Sequence, residues 1–267
     1  MRSSKSLPSP GLVAVPDLGG RVVLITGASG GLGRPLALAC AAAGATVVIH
    51  GRVVRKLEEL YDEIMTARHP EPVILPLDFS KASADDFGNV ASALQADLGR
   101  LDAVVHTAAQ LGSLGPLEHQ SFDAWLSLLR VNVAAPMGLT RAVMPLLAEA
   151  PDASVVFTLD SRGEAPRAYW GGYAVTKAAI SALARELADE WENRPQLRVN
   201  AVIPGPIRSP LRGQTHPGEN RAALPPPESL VPLYLALIGN QTKGDSGMRI
   251  DAQGWLAGTP CVSSLLP

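Results

Sequence analysis

The stretch Val22-Val23-Leu24-Ile25-Thr26-Gly27-Ala28-Ser29-Gly30-Gly31-Leu32-Gly33 decides the fold. VVLIT is a short continuous apolar run, the pattern of a strand covered on both faces. It breaks into a glycine-rich turn, and RPLALACAAAG at 34–44 then reads as a helix, with Pro35 tolerated in its first turn. A diphosphate set at such a turn meets backbone N–H groups and the positive end of the helix. Glycine is required there because a Cβ would block close approach and the φ > 0 turn. An ordinary glycine-rich strand-to-helix loop shares the bare motif; strand before and helix after is the context that separates the two.

Outward from this unit the alternation continues. Strands are expected at 22–26, 46–50, 73–77, 103–107, 154–159, 197–203 and 248–252, with helices at 34–43, 55–67, 84–98, 122–150, 173–191 and 229–238. The pattern indicates parallel βαβ units. The expected fold is α/β: a single Rossmann-type, doubly wound parallel sheet of about seven strands with helices on both faces. It occupies 20–267, with order beginning at Arg21, behind a flexible Ser/Pro/Gly-rich arm at 1–19. An apolar content of 46% in 267 residues supports a sizeable core, and 25 Gly with 23 Pro stays below the disordered range. A net charge of −2 without a basic cluster argues against a nucleic-acid partner. Cys40 and Cys261 make neither a disulfide framework nor a metal site, and fit a reduced cytoplasm. Pro8, Pro10 and Pro16 interrupt any signal-peptide core, and the apolar tract 35–49 is too short to span a bilayer, so no membrane association is expected.

Two further spots carry chemistry. The second strand ends at Gly51-Arg52, where dinucleotide folds commonly place an acid for the ribose hydroxyls. An arginine there can pair bidentately with a 2′-phosphate, which favours NADP(H) over NAD(H); a solvated loop arginine is the plain alternative. At Tyr173-Ala174-Val175-Thr176-Lys177, Tyr and Lys four apart share one helix face. A phenol of pKa about 10 is a poor acid or base at neutral pH, and a neighbouring ammonium lowers it.

Together with the glycine turn, this pair resembles the short-chain dehydrogenase/reductase superfamily along nearly the whole ordered length. The matching elements are TGASGGLG at 26–33, Asp78 after the third strand, Asn132 in RVNV, YAVTK at 173–177 and PGPIRS at 204–209. VPLYLALIG at 231–239 and SGMRIDAQGW at 246–255 look like a YciK-like bacterial branch. The resemblance implies an oxidoreductase that moves a hydride between NADP(H) and a small carbonyl or secondary alcohol, and implies a homodimer or homotetramer. By the same resemblance Tyr173 is the acid/base, Lys177 lowers its pKa and holds the nicotinamide ribose, and Asn132 bends its helix and fixes a relay water. Cofactor contacts are implied for Gly27, Ser29, Gly31, Leu32, Gly33, Arg52, Asp78, Ala108, Pro204, Gly205, Ile207 and Ser209, together with Tyr173 and Lys177.

The chain departs from the family at the residue thirteen before the tyrosine, where a serine usually binds the substrate oxygen; here it is Asp160, with Gly163 confirming the register. An ionised carboxylate cannot donate a hydrogen bond and raises the pKa of a nearby phenol. Three readings stay open. Asp160 serves as a neutral donor, or binds a cationic or hydroxyl-bearing substrate; a local shift brings Ser161 or Thr158 into the role; or carbonyl reduction is crippled, leaving a dinucleotide-binding sensor or interaction partner. The segment His106-Thr107-Ala108-Ala109 is a second departure, from an Asn-Asn-Ala-Gly element; His106 reads as a packed strand-end residue and Thr107 keeps a hydroxyl for nearby backbone. Trp170 and Trp255 are candidates to flank the substrate, and 211–229 to cover it.

Overall fold

The run VVLIT forms β1 (Val22–Thr26), and all five residues are buried. Their side chains alternate between two cores: Val23 and Ile25 join one, Val22 and Leu24 the other. An apolar residue is therefore needed at each of the first four positions, which is why the strand shows no polar alternation. Each such burial contributes about 1.5–3 kcal/mol. The structure is a computed structural model and describes residues 7–10 and 14–266.

The chain then runs α1 (Gly33–Ala42), β2 (Thr46–Gly51), α2 (Val54–Thr66), β3 (Val73–Pro76), α3 (Ala84–Asp97) and β4 (Ala103–His106). Next come α4 (Phe122–Leu129), a π-helical turn (Arg130–Ala134), α5 (Ala135–Glu149), β5 (Ala153–Thr158), the short α6 (Ser161–Glu164), α7 (Gly171–Glu190) and β6 (Leu197–Ile203). α8 (Pro210–Thr215), α9 (Val231–Ile238), β7 (Met248–Asp251), α10 (Ala252–Leu256) and β8 (Val262–Ser264) complete it. The sheet has eight strands in the order β3-β2-β1-β4-β5-β6-β7-β8. Neighbours are parallel except β7 and β8, where Ile250 faces Val262 in an antiparallel pair. The eighth strand, VSS, is exposed and lacks the apolar run that announces the others.

α1, α2 and α9 cover one face, and α3, α5 and α7 the other. α4, the π turn and α5 form one helical run, Phe122–Glu149, which by length and composition alone could cross a membrane. Its inward side chains Leu139, Val143 and Leu147 belong to the second core.

Of the expected arm at 1–19, residues 1–6 and 11–13 lie outside the described residues. Packing begins before the expected Arg21: Leu18 is fully buried and its N–H donates to Ala43 O at 2.8 Å. Trp255 is not at the substrate side. It is buried against the N-terminal stretch, its Nε1 donating to Pro8 O at 2.9 Å.

Candidate active site

The sheet order reverses between β1 and β4, whose carboxyl ends open a crevice where open α/β sheets bind ligands. The glycine turn lines it. Gly27 has φ +69°, and a Cβ there would lie 2.8 Å from Ala108 Cα; a Cβ on Gly33 would meet Gly27 O at 2.2 Å. A Cβ on Gly31 would press Pro210 and Ser209, so the turn and the segment after β6 sit against each other. Thr26 Oγ1 accepts the N–H groups of Thr107 and Ala108, each at 3.2 Å, while Thr107 Oγ1 donates to Thr26 O. α1 opens behind Leu32 with no side-chain cap and no acid in its first turn. That leaves its positive end to a ligand. The Ser29 hydroxyl stands beside Gly51.

Sequence reasoning passed over His50. The parallel register sets it opposite Thr26. Its Nδ1 accepts the Gly27 N–H at 3.2 Å, so Nε2 carries the ring proton and donates to Leu77 O at 3.1 Å. The ring stacks on Phe79, 4.1 Å between centroids, and burial pulls its pKa down to about 4. One imidazole thus ties the glycine turn to the residue preceding Asp78. Asp78 Oδ1 accepts both the hydroxyl and the N–H of Ser80, which hold the carboxyl below its ordinary range; the charges of Lys81 and Arg52 add to this. Arg52 is exposed, and its guanidinium has no hydrogen-bond partner among the described residues. His106 is packed: Nε2 meets Thr140 Oγ1 at 2.9 Å, the ring stacks on Phe157, and burial lowers its pKa to about 3.

On the other side of the crevice, Tyr173 and Lys177 lie on the buried face of α7. Lys177 Nζ donates to Thr158 O at 2.9 Å and sits 5.7 Å from the Tyr173 ring centroid. Burial pulls the lysine down to about 8, against the opposing pull of Asp160. Asp160 caps α6, its Oδ1 accepting the Arg162 N–H at 2.8 Å, while its Oδ2 accepts from Tyr173 Oη at 3.0 Å. The phenol is pushed up, first by burial and then by the Asp160 charge. Of the three residues weighed for this place, Asp160 is the one on the tyrosine. Thr158 Oγ1 turns to Tyr234 Oη at 3.0 Å, and Ser161 is exposed. Gly163 makes the arrangement possible: a Cβ would lie 2.6 Å from Lys177 C.

Asn132 lies in the π turn, and its side chain makes three hydrogen bonds. Oδ1 accepts the Gln110 N–H, and Nδ2 donates to Gln110 O and Thr176 Oγ1. With both amide protons committed, it clamps the segment after β4 to α7, and its side chain has no donor left for a water. Trp170 stands beside Tyr173, 5.9 Å between centroids, and beside His216 at 6.1 Å. Past β6, Gly205 takes φ +67°, and Gln253 Nε2 donates to Pro204 O at 2.7 Å, fixing the Pro204–Ile207 segment. Ile207 is buried, and Ser209 Oγ caps α8 by accepting the Arg212 N–H. Gln253 and Gln110 carry no local signal in the sequence; long-range packing places them.

A family profile described as short chain dehydrogenase matches residues 21–220. The oxidoreductase YciK of Escherichia coli K12 is 37% identical over 236 residues, spanning 88% of this chain and 93% of its own. A structure from Shigella flexneri 2a complexed with NADP is 36% identical with TM-score 0.86, covering 90% of this chain and 100% of that one. A structure from Escherichia coli CFT073 complexed with NADPH is 37% identical with TM-score 0.86, covering 90% and 99%.

Proposed function

The chain belongs to the short-chain dehydrogenase family, and from that premise we propose that it interconverts a carbonyl and a secondary alcohol with NADP(H), using Tyr173 for the proton. The site suits that cofactor. Gly27 and Gly33 let the turn fold close on its own backbone and on Ala108, where a Cβ would clash, α1 presents an uncapped positive end, and Arg52 has a free guanidinium for a 2′-phosphate. Asp78 Oδ2 takes no bond from Ser80 and is open to the adenine amino group. When bound, NADP(H) supplies or takes the hydride.

The Tyr173 Oη–Asp160 Oδ2 contact at 3.0 Å carries the rest of the reading. Its direction matters: the tyrosine proton already points at the carboxylate. A mechanism through free phenolate is disfavoured here, because burial and Asp160 raise the phenol's pKa. A relay avoids that charge. In oxidation the alcohol proton passes to Tyr173 Oη as the phenol proton passes to Asp160 Oδ2; in reduction the phenol proton passes to the substrate oxygen as the Asp160 proton returns to Tyr173 Oη. Asp160 is then the terminal proton holder, and Tyr173 stays neutral throughout. Lys177 holds the Thr158 carbonyl and keeps positive charge near the pair.

Asp160→Asn tests this, since an amide can accept the phenol bond but cannot take its proton. The expected result is a kcat loss on the order of 10²-fold or more in both directions, the scale of general acid–base catalysis, with NADPH affinity retained. Undiminished turnover by this variant removes Asp160 from the relay. A wild-type protein that binds NADPH yet turns over no ketone, aldehyde, quinone or alcohol, with Asp160→Ser equally inert, marks a dinucleotide binder instead.

A further inference from the structure

Arg162 stands at the substrate side without an anionic partner among the described residues. Its backbone N–H is committed to Asp160 Oδ1 at 2.8 Å, but its guanidinium has no hydrogen-bond acceptor among the described residues. Instead its central carbon lies 4.8 Å from the Trp170 ring centroid. Three other arginines of this region already have acceptors. Arg212 pairs with both carboxylate oxygens of Glu219, at 2.6 and 2.7 Å, Arg249 pairs with Glu164, and Arg208 reaches the carbonyls of Ala222 and Leu224.

Trp170 in turn touches the Tyr173 ring, so the free guanidinium stands one aromatic ring away from the reacting hydroxyl. Stacking on indole removes water from one face of an arginine and restricts its rotamers, while its N–H fork stays open at the edge. That state is prepared for a planar, two-oxygen anion. We propose that Arg162, seated on Trp170, receives a carboxylate of the substrate, so that the compounds turned over are oxo acids and the corresponding hydroxy acids. The proposal rests on the reading of Tyr173 as the reacting end. A carboxylate matches one guanidinium with two parallel bonds. The Asp160 charge does not forbid the anion: Asp160 accepts two hydrogen bonds, and Lys177 and Arg212 interact favourably with it.

The test uses linear oxo acids with the carboxylate two to five carbons from the carbonyl, each beside its methyl ester. NADPH oxidation is followed for wild type and Arg162→Met, with Tm recorded for both. Wild type is expected to favour the best acid over its ester by about 30-fold or more in kcat/KM. In Arg162→Met that ratio falls towards one, with Tm unchanged. Equal handling of acid and ester by wild type, or an unaltered ratio in the variant, overturns the proposal. If wild type oxidises NADPH with the ketones, aldehydes or quinones of the first test but with none of these compounds, the proposal is overturned; if it oxidises NADPH with none of either set, the oxidoreductase reading has failed by itself. Calorimetric titration of the NADP-loaded protein with glutarate and adipate then decides the subsite. Binding to wild type that is lost in Arg162→Met supports it, and no binding to wild type overturns it.

Discussion

At the residue scale, His50 and Arg52 occupy neighbouring positions and answer to different physics. His50 is neutral in the fold because burial depresses its pKa to about 4 from an ordinary 6.5. The unfolded chain therefore binds the extra proton first as pH falls. The imidazole's contribution is complete above about pH 6.5 and is lost progressively towards pH 4, a range worth at most about 3 kcal/mol. His106, lowered to about 3, acts with the same sign. His50→Gln keeps an acceptor and a donor but cannot titrate, so urea midpoints measured from pH 7 to 4.5 should fall less steeply than in wild type. Identical slopes would assign the acid sensitivity elsewhere. His50 was illegible in the sequence because its partners, Gly27 and Leu77, come from the parallel register and not from the strand's own pattern. Arg52 was legible, standing one residue past a strand end. Arg52→Ala is expected to weaken NADPH on the order of tenfold or more, the scale of a charge-assisted bond, while NADH changes little. Equal weakening of both would show that it does not read the 2′-phosphate.

At the element scale, the proposed catalytic geometry depends on how α6 sits on α7. Asp160 caps α6, and Gly163 lets that turn approach the backbone of Lys177 and Ala178 to 2.6 and 2.7 Å from where a Cβ would be. The obstacle is backbone, so it cannot rotate away. Gly163→Ala must push α6 outward and lengthen the Asp160–Tyr173 contact, at an overpacking cost of about 1–3 kcal/mol. Turnover is expected to drop sharply while NADPH binding persists, since the glycine cradle lies on β1 and α1; retained turnover would show that α6 can shift without moving the carboxylate. The register of Gly163 and Asp160 could be counted from Tyr173 in the sequence. The π turn left no local mark: residues 122–150 read as one helix, RVNVA contains no glycine or proline to mark the extra residue, and only the family resemblance implied a bend at Asn132. Asn132 sits there to bond Gln110 and Thr176, partners 22 and 44 residues away.

At the scale of the whole molecule, the two ends of the sheet divide the labour. The carboxyl ends of β1, β2, β4, β5 and β6 carry the candidate site, and its motifs were legible because each is local. The opposite end carries a buried charge network whose members are scattered through the chain. Arg198, 1% exposed, pairs with Asp152 through Nε and Nη2 and donates from Nη1 and Nη2 to the carbonyls of Leu237, Gly239 and Thr242. Arg21 reaches the same Asp152 from the start of β1. Read along the chain, Arg198 was one charge inside an apolar strand; in the fold it ties β6 to the end of α9 and to the entry of β5. Arg198→Met leaves Asp152 with one arginine and takes one donor from each of three carbonyls, of which Leu237 O keeps Ser154 Oγ and Thr242 O keeps the Asp245 N–H. Breaking a buried pair from one side costs about 3–5 kcal/mol, a large share of the stability of a typical domain. The midpoint of urea unfolding should fall accordingly. Below the new transition, NADPH should bind with wild-type affinity, because the network and the glycine cradle lie at opposite ends of the strands. A variant that kept its stability but lost NADPH would contradict this division of the sheet.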